Sequence, residues 1–139
     1  MPIDNSEIGP GTIIRHPELV NIYGSKIGRD CKIGAFVEIG RSEIGDRCSI
    51  QSHVFIPQGM RIGNDVFIGP GVILCNDKHP PSKGLKWAPV WVMDGASIGA
   101  GSIIIPGVSI GKGARIAAGA IITKDVGEGE LSYGSKKSD

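Results

Sequence analysis

The chain has 139 residues, of which 22 are Gly and 22 are Ile. This share of β-branched apolar residues excludes a disordered chain and favours strands over helices, and the length fits one domain. The 15 basic and 14 acidic residues nearly balance and only 5% of residues are aromatic, so no nucleic-acid partner is indicated. No apolar stretch approaches the roughly 20 residues that span a bilayer, and the first residues do not form a signal-peptide pattern, so we expect no membrane partner.

An apolar residue recurs every six residues along almost the whole chain, most often as Ile followed by Gly. The repeat begins at Ile8, pauses after Leu74 and resumes at Val92. Its eighteen positions hold fifteen Ile and are 8, 14, 20, 27, 33, 39, 44, 50, 56, 62, 68, 74, 92, 98, 104, 110, 116 and 122. A smaller residue lies two positions earlier in most repeats, as at Cys31 and Ala96. A helix would repeat every 3.6 residues, so this period predicts short strands joined by tight corners.

Three such strands form one triangular coil, and the eighteen positions therefore predict about six coils. Stacked coils pair as parallel strands, and each coil buries its apolar row only against its neighbours. The predicted fold class is all-β, a parallel β-helix domain over residues 1–126 followed by a short C-terminal tail, residues 127–139. The repeat alone does not fix the hand of the helix, and the usual rule for parallel crossovers favours the right hand.

The repeat is interrupted once, by residues 75–91 with the sequence CNDKHPPSKGLKWAPVW. The phase would place inward residues at Pro80 and Lys86, so this segment is predicted to leave the prism as a long loop that re-enters at Val92. A long loop on a regular scaffold is commonly functional, and this one carries an Asn-Asp pair, a histidine and both tryptophans. The plainer alternative is a loop that only covers an edge or grips a neighbouring subunit.

The tandem [Ile/Leu/Val]-Gly-x-x-[small]-x over residues 8–126 resembles the hexapeptide-repeat acyltransferases. The runs FIGPGVILCNDKHP and GASIGAGSIIIPGVSIGKGARIAAGAIITKDV resemble, within that superfamily, the N-acetyltransferases of nucleotide-linked 3-amino sugars. The resemblance implies a left-handed β-helix, a homotrimer with each active site between subunits, acetyl-coenzyme A as cosubstrate and a nucleotide-linked amino sugar as acceptor. The C-terminal end departs from the family pattern, because Gly134-Ser135-Lys136-Lys137 stands where relatives often have Gly-x-Pro-Ala-Lys.

The resemblance assigns the sugar amine to Asn76 and Asp77, from which the amine attacks the thioester directly. Both residue types also cap turns, which is the alternative explanation of the pair. His79 and His53 are competing candidates for a general base, since a free histidine titrates close to neutral pH. His53, three residues past Ile50, is expected to point outward toward a neighbour or a cleft, where a surface or interface role is the alternative.

The repeat phase also predicts a path for the cofactor. Ala100 and Ala118 lie one coil apart and are expected to stack, leaving a groove in which an extended pantetheine arm reaches main-chain groups. Lys124, in the next column, is a candidate partner for a cofactor phosphate. The alternative is that alanine simply fits a tight corner.

Two other functions remain possible at this stage. A zinc-dependent carbonic anhydrase needs three converging histidines, and the only histidines, His16, His53 and His79, lack the close pair that such enzymes show. We therefore expect no metal. A non-catalytic scaffold, or an acetyltransferase for another small amine or hydroxyl acceptor, also fits the repeat. The three cysteines are scattered without a CxxC motif, which fits a reducing cytoplasm; Cys31 and Cys48 are expected in the core.

Overall fold

The computed structural model describes residues 2–134 as parallel strands in three sheets, which confirms the all-β prediction. Sheet 1 contains β1 (Ile3–Asp4), β4 (Asn21–Tyr23), β7 (Glu38–Gly40), β10 (Phe55–Ile56), β13 (Ile73–Leu74), β16 (Ile103–Ile104) and β19 (Ile121–Ile122). Sheet 2 contains β2 (Glu7–Ile8), β5 (Lys26–Ile27), β8 (Glu43–Ile44), β11 (Arg61–Ile62), β14 (Trp91–Val92) and β17 (Ser109–Ile110). Sheet 3 contains β3 (Ile13–Ile14), β6 (Lys32–Ile33), β9 (Ser49–Ile50), β12 (Phe67–Ile68), β15 (Ser97–Ile98), β18 (Arg115–Ile116) and β20 (Leu131–Ser132). No helix in residues 2–134 is long and apolar enough to cross a membrane.

The chain visits the three sheets in turn and so forms a left-handed parallel β-helix of about seven coils. The sequence count of about six coils ran from Ile8 to Ile122, and the structure adds β1 before this range and β20 after it. The main chain of Ala117 donates a hydrogen bond at 2.9 Å to the carbonyl of Ser132, which lies in the segment expected to form the tail. Sheet pairing therefore continues to Ser132, and residues 135–139 of the expected tail lie outside the described residues.

The interior contains the two predicted columns of side chains. At one position, the residue in the large column differs from the one that the sequence predicted. Ile22, rather than Val20, pairs with Ile39 and occupies the large column, while Val20 is buried in the small column. The cause is the 3-10 turn Pro17–Leu19, which adds two residues between β3 and β4. Sequence spacing alone could not reveal this insertion, because Val20 lies six residues after Ile14 and fits the expected period.

The predicted loop leaves the prism after Leu74 and folds as a short antiparallel excursion. Asp77 and Trp87 face each other across it, and the main chain of Ala88 donates to the Asn76 carbonyl at 2.7 Å. The chain returns to the prism slightly before Val92, which was the predicted point of re-entry. Val90 is already fully buried, and β14 starts at the following residue.

The outer face of sheet 1 carries a column of apolar side chains in its four C-terminal coils. The residues are paired in register from coil to coil and are Phe55, Ile73, Ile103 and Ile121. All are exposed except Ile103, which is half-buried. In the coils that precede them, the same column holds Asn21 and Glu38. One end of this face is therefore polar and the other is apolar.

Candidate functional site

The predicted site residues lie along the two edges of sheet 1. The groove edge consists of the corner residues that precede its strands, namely 35–36, 52–53, 70–71, 100–101 and 118–119. The loop edge consists of the corner residues that follow them, namely 58–59, the loop 75–90, 106–107 and 124–125. His53, Ala100 and Ala118 fall on the groove edge, whereas Asn76, Asp77, His79 and Lys124 fall on the loop edge.

The groove edge has almost no side chains in its C-terminal half. The corners stack directly, since the main chain of Gly101 donates to the Pro70 carbonyl at 2.9 Å and that of Gly119 donates to the Ala100 carbonyl at 2.8 Å. A Cβ added to Gly101 or Gly119 would meet no atom within 4 Å, so the space beside these corners is open. Ala100 and Ala118 thus border an unobstructed strip that runs along the prism axis.

His53 lies at the N-terminal end of this strip, at a corner rather than on a strand. Its backbone has φ of 64°, the left-handed conformation that Gly71, Gly101 and Gly119 take in later coils. A non-glycine residue in that conformation is uncommon and costs roughly 1–3 kcal/mol. The His53 ring lies 5.0 Å from the ring of Phe36, centroid to centroid, in the preceding coil. The imidazole therefore rests on an aromatic neighbour at the point where the strip begins.

Asn76 and Asp77 lie where the loop leaves the loop edge, and their side chains already hold main-chain groups. The Asn76 amide donates to the Gln58 carbonyl at 3.1 Å, which ties the loop to the preceding coil. Asp77 Oδ1 accepts from the His79 N–H at 3.1 Å, and Oδ2 accepts from the Ser82 N–H at 2.8 Å. The side chains of Ser82 and Trp87 also donate hydrogen bonds to this carboxylate, so its two oxygens are held in a fixed orientation.

The Asp77 carboxylate is kept ionised by its surroundings. Desolvation raises the pKa of this group, but hydrogen bonds from Ser82, and further ones from His79 and Trp87, outweigh it and leave the pKa below its usual value. A carboxylate that is already hydrogen-bonded to N–H donors favours its charged form. Asp77 is therefore suited to holding an amine and poorly suited to removing a proton from it.

The other loop-edge candidates are more exposed. His79 is an exposed loop residue whose main-chain N–H is held by Asp77. Lys124 is exposed at the corner after β19, in the same column as Asn76 but two coils further along. Lys78 also reaches this column, because its Cε would lie 3.5 Å from a Cβ added to Gly107. Two lysines, Lys78 and Lys124, therefore reach this column, and Asp125 lies beside Lys124 at the same corner.

The structure brings Asn76, Asp77 and His79 together and leaves them apart from the groove residues. Within one chain, the width of sheet 1 separates the two edges. Sequence reasoning did not identify Gln58 or Arg61 as neighbours of the loop. The repeat could have identified Arg61 as a neighbour of the loop. Its strand partner Trp91 follows it by one coil plus the residues that the loop inserts. The approach of Gln58 depends on how the loop folds, which the repeat does not encode.

Two of the three cysteines are core residues. Cys31 and Cys48 are buried in the small column, as predicted. Burial raises the pKa of the Cys75 thiol, so this cysteine is not an activated nucleophile. Among residues 2–134, no group of three or more His, Cys, Asp or Glu side chains could hold a metal ion.

Comparison with known proteins agrees with this architecture. The bifunctional protein GlmU of Thermosipho africanus is 36% identical over 131 residues, which is 94% of this chain but about a quarter of that protein. Among solved structures, a point mutant of AntD, an N-acyltransferase from Bacillus cereus in complex with dTDP and coenzyme A, has a TM-score of 0.76 at 19% identity and covers 94% of this chain and 79% of its own. The acetyltransferase domain of PglB from Neisseria gonorrhoeae, in complex with acetyl coenzyme A, has a TM-score of 0.56 at 19% identity over 94% of this chain and 53% of its own.

The sequence also matches a family model directly. The model for the bacterial transferase hexapeptide, described as six repeats, matches residues 24–58 and 89–124. These two segments lie on either side of the loop and together make up slightly more than half of the chain. The chain belongs to the bacterial transferase hexapeptide family.

Proposed function

We propose that the protein transfers an acetyl group from acetyl-coenzyme A to the amino group of a nucleotide-linked amino sugar, at its 3-position, as a homotrimer in the cytoplasm. This proposal rests on the difference between the two edges of sheet 1. One edge offers an open strip for an extended cofactor, and the other offers an Asn-Asp pair whose carboxylate is ionised and oriented by hydrogen bonds within the loop. An N-acetyltransferase needs both a thioester path and a site that aims an amine.

The apolar column on sheet 1 supports the homotrimer. Phe55, Ile73 and Ile121 are exposed on a flat face between the groove edge and the loop edge. Covering this face with a neighbouring subunit removes apolar surface from water. In a closed ring, the loop edge of one subunit then meets the groove edge of the next. The two halves of the site, which are separate within one chain, come together in this arrangement.

The chemistry follows from what each part can hold. The neutral amine of the sugar donates hydrogen bonds to Asp77 while its lone pair faces the thioester carbonyl. Nitrogen attacks the carbonyl carbon, the C–N bond forms, and the C–S bond breaks as the coenzyme A sulfur leaves as a thiolate. The nitrogen loses one proton, which neutralises the thiolate directly or through water. Asp77 stays ionised throughout, so its role is to position the amine and to stabilise the positive charge that develops on it.

The relatives support the choice of substrates. AntD is an N-acyltransferase whose solved complex holds dTDP and coenzyme A together, and the PglB domain holds acetyl coenzyme A. Both share the fold of this chain across 94% of its length. An enzyme that acetylates a sugar linked to a nucleoside diphosphate must bind a nucleotide and coenzyme A together, as the AntD complex does.

A substrate screen tests the proposal. Purified protein is incubated with acetyl-coenzyme A and nucleotide-linked 3-amino or 4-amino sugars, and free coenzyme A is measured by chromatography. We expect release with the 3-amino sugars and none with the same sugars already N-acetylated. Asp77→Ala serves as the inactive control. Release that is equal with and without every amine acceptor would overturn the proposed function.

A further inference from the structure

Both tryptophans of the chain are exposed, on one continuous surface next to the candidate amine site. Trp87 is 44% exposed and Trp91 is 46% exposed, although this residue type is usually largely buried. The segments 58–61 and 87–91 run side by side, because Arg61 in β11 pairs in register with Trp91 in β14. We call the surface formed by these two segments the tryptophan strip.

The first part of the tryptophan strip is a cleft between the loop and the prism. Trp87, Ala88 and Pro89 form one wall, and Gln58 and Gly59 form the other. A Cβ added to Gly59 would meet no atom within 4 Å, so the cleft is open above this corner. The hydrogen bond from the Asn76 amide to the Gln58 carbonyl joins the cleft to the Asn-Asp pair, and Trp87 lies opposite Asp77 in the loop.

The second part of the strip lies on the face of sheet 2. Arg61 lies between Glu43 of the preceding coil and Trp91 of the following one, and its Nη1 donates to Glu43 Oε2 at 2.7 Å. The Arg61 side chain is half-exposed, and a guanidinium has five N–H donors, so donors remain for a second anion. Arginine forms bidentate hydrogen bonds with phosphate oxygens, and the indole face of tryptophan is a platform on which nucleobases stack.

We propose that the tryptophan strip binds the nucleoside diphosphate part of the acceptor, an inference that rests on the proposed function. The base stacks on Trp91, the diphosphate accepts hydrogen bonds from Arg61, and the sugar ring lies in the cleft against Trp87 with its amine at Asp77. Arg61 and Trp91 lie side by side at one end of the strip, and Trp87 lies at the other end beside the Asn-Asp pair. Trp87 and Trp91 are four residues apart, so at 3.3 Å per residue their main chains are at most about 13 Å apart, and the corner at residues 88–89 lies between them.

Intrinsic fluorescence tests this site without any turnover, because Trp87 and Trp91 are the only tryptophans in the chain. The full chain is titrated with thymidine and uridine diphosphates in the absence of acetyl-coenzyme A. We expect saturable quenching, with the signal of the Trp87→Phe variant reporting on Trp91. Tryptophan emission that does not change at millimolar nucleoside diphosphate would overturn the proposal.

Calorimetry on substituted chains locates the binding. Trp91→Leu should weaken nucleoside diphosphate binding roughly 5- to 150-fold, the range found when a stacking aromatic is removed. Arg61→Gln should remove most of the preference for a nucleoside diphosphate over the free nucleoside. Phe67→Leu and Arg115→Gln are matched controls, since they change an exposed aromatic residue and an arginine on sheet 3, and they should leave binding unchanged.

The outcomes separate this inference from the proposed function. If Trp91→Leu acetylates nucleotide-linked sugars with an unchanged KM, the nucleotide site is overturned and the proposed function stands. If the wild-type chain binds nucleoside diphosphates through Trp91 but transfers no acetyl group, the proposed function is overturned and the nucleotide site stands. If Trp91→Leu instead lowers the oligomeric mass measured by light scattering, the strip is a contact between subunits and the inference is wrong.

Discussion

The two edges of sheet 1 are built from the same repeat but differ in what they present. At the groove edge, the corners from Pro70 onward carry only small residues, and their main chains stack coil upon coil. At the loop edge, the chain leaves the prism for residues 75–90 and returns with polar and aromatic side chains that contact the preceding coil. In the proposed function, one edge admits the cofactor along the main chain and the other holds the acceptor with side chains.

Neither edge alone provides both parts of the proposed site. The open strip beside Ala100 and Ala118 has no carboxylate or amide that could aim an amine, and the Asn-Asp pair has no adjacent strip for a cofactor within its own chain. The apolar column between them explains how both can serve one reaction, because a flat apolar face is the kind of surface that a second copy covers. The proposed active site is therefore shared between subunits.

The largest expected effect comes from the core that both edges share. Ile68 is fully buried, whereas its neighbour Phe67 is 41% exposed on the same strand. Ile68→Asp buries an unpaired carboxylate and should prevent folding, while Ile68→Val should cost about 0.5–1.5 kcal/mol. Phe67→Asp is the matched control and should fold, as judged by circular dichroism and thermal unfolding. A soluble Ile68→Asp variant with an unchanged melting temperature would mean that the inward phase is misassigned.

The next prediction concerns the apolar column of sheet 1, where we propose that neighbouring subunits pack and bring the two edges together. Ile73 on sheet 1 is 41% exposed, and Ile13 on sheet 3 is 52% exposed. Ile73→Glu should place three carboxylates in the proposed trimer interface and shift the mass measured by light scattering to that of a single chain, with loss of acetyl transfer. Ile13→Glu introduces the same charge on the other face and should leave the trimer intact. Equal masses for the two variants would argue against sheet 1 as the interface.

A third prediction tests the loop edge alone. Asn76→Ala and Asp77→Ala should each lower kcat/KM for the acceptor roughly 30- to 1000-fold, the loss that follows when a positioning contact worth 2–4 kcal/mol is removed. Binding of coenzyme A should not change, because the proposed path of the cofactor runs along the groove edge. Steady-state kinetics with both substrates, together with calorimetry for coenzyme A, measures these effects. Near-wild-type kcat/KM for both variants would move the amine site to His53.

The smallest expected effect concerns the two histidines, one on each edge. Direct attack by a neutral sugar amine needs no protein base, so His79→Asn should lower kcat by less than about tenfold. His53 lies where the open strip begins, and His53→Asn provides the comparison for a histidine on the groove edge. The pH dependence of kcat distinguishes the roles. A loss from His79→Asn as large as that from Asp77→Ala would identify His79 as the general base.

Much of the fold could be predicted from the sequence because a strict repeat encodes it locally. Each Ile of the large column fixes the inward face of a two-residue strand, and the interruption at residue 75 marks the loop. The 3-10 turn before Val20 was not predictable, since the residues it adds still leave an apolar residue at the expected spacing. The contacts of Asn76 with Gln58 and of Asp77 with Ser82 depend on the path of the loop, which no periodic signal specifies.

Complementation between two inactive variants tests the shared site most directly. Asp77→Ala disables the loop edge, and Ala118→Phe blocks the open strip of the groove edge, so each variant alone should be inactive. Trimers that contain both kinds of subunit are isolated through two different affinity tags and assayed for acetyl transfer. Such trimers should recover about one working site in three, because one interface combines an intact loop edge with an intact groove edge. Mixed trimers with no more activity than either parent would contradict a site shared between subunits.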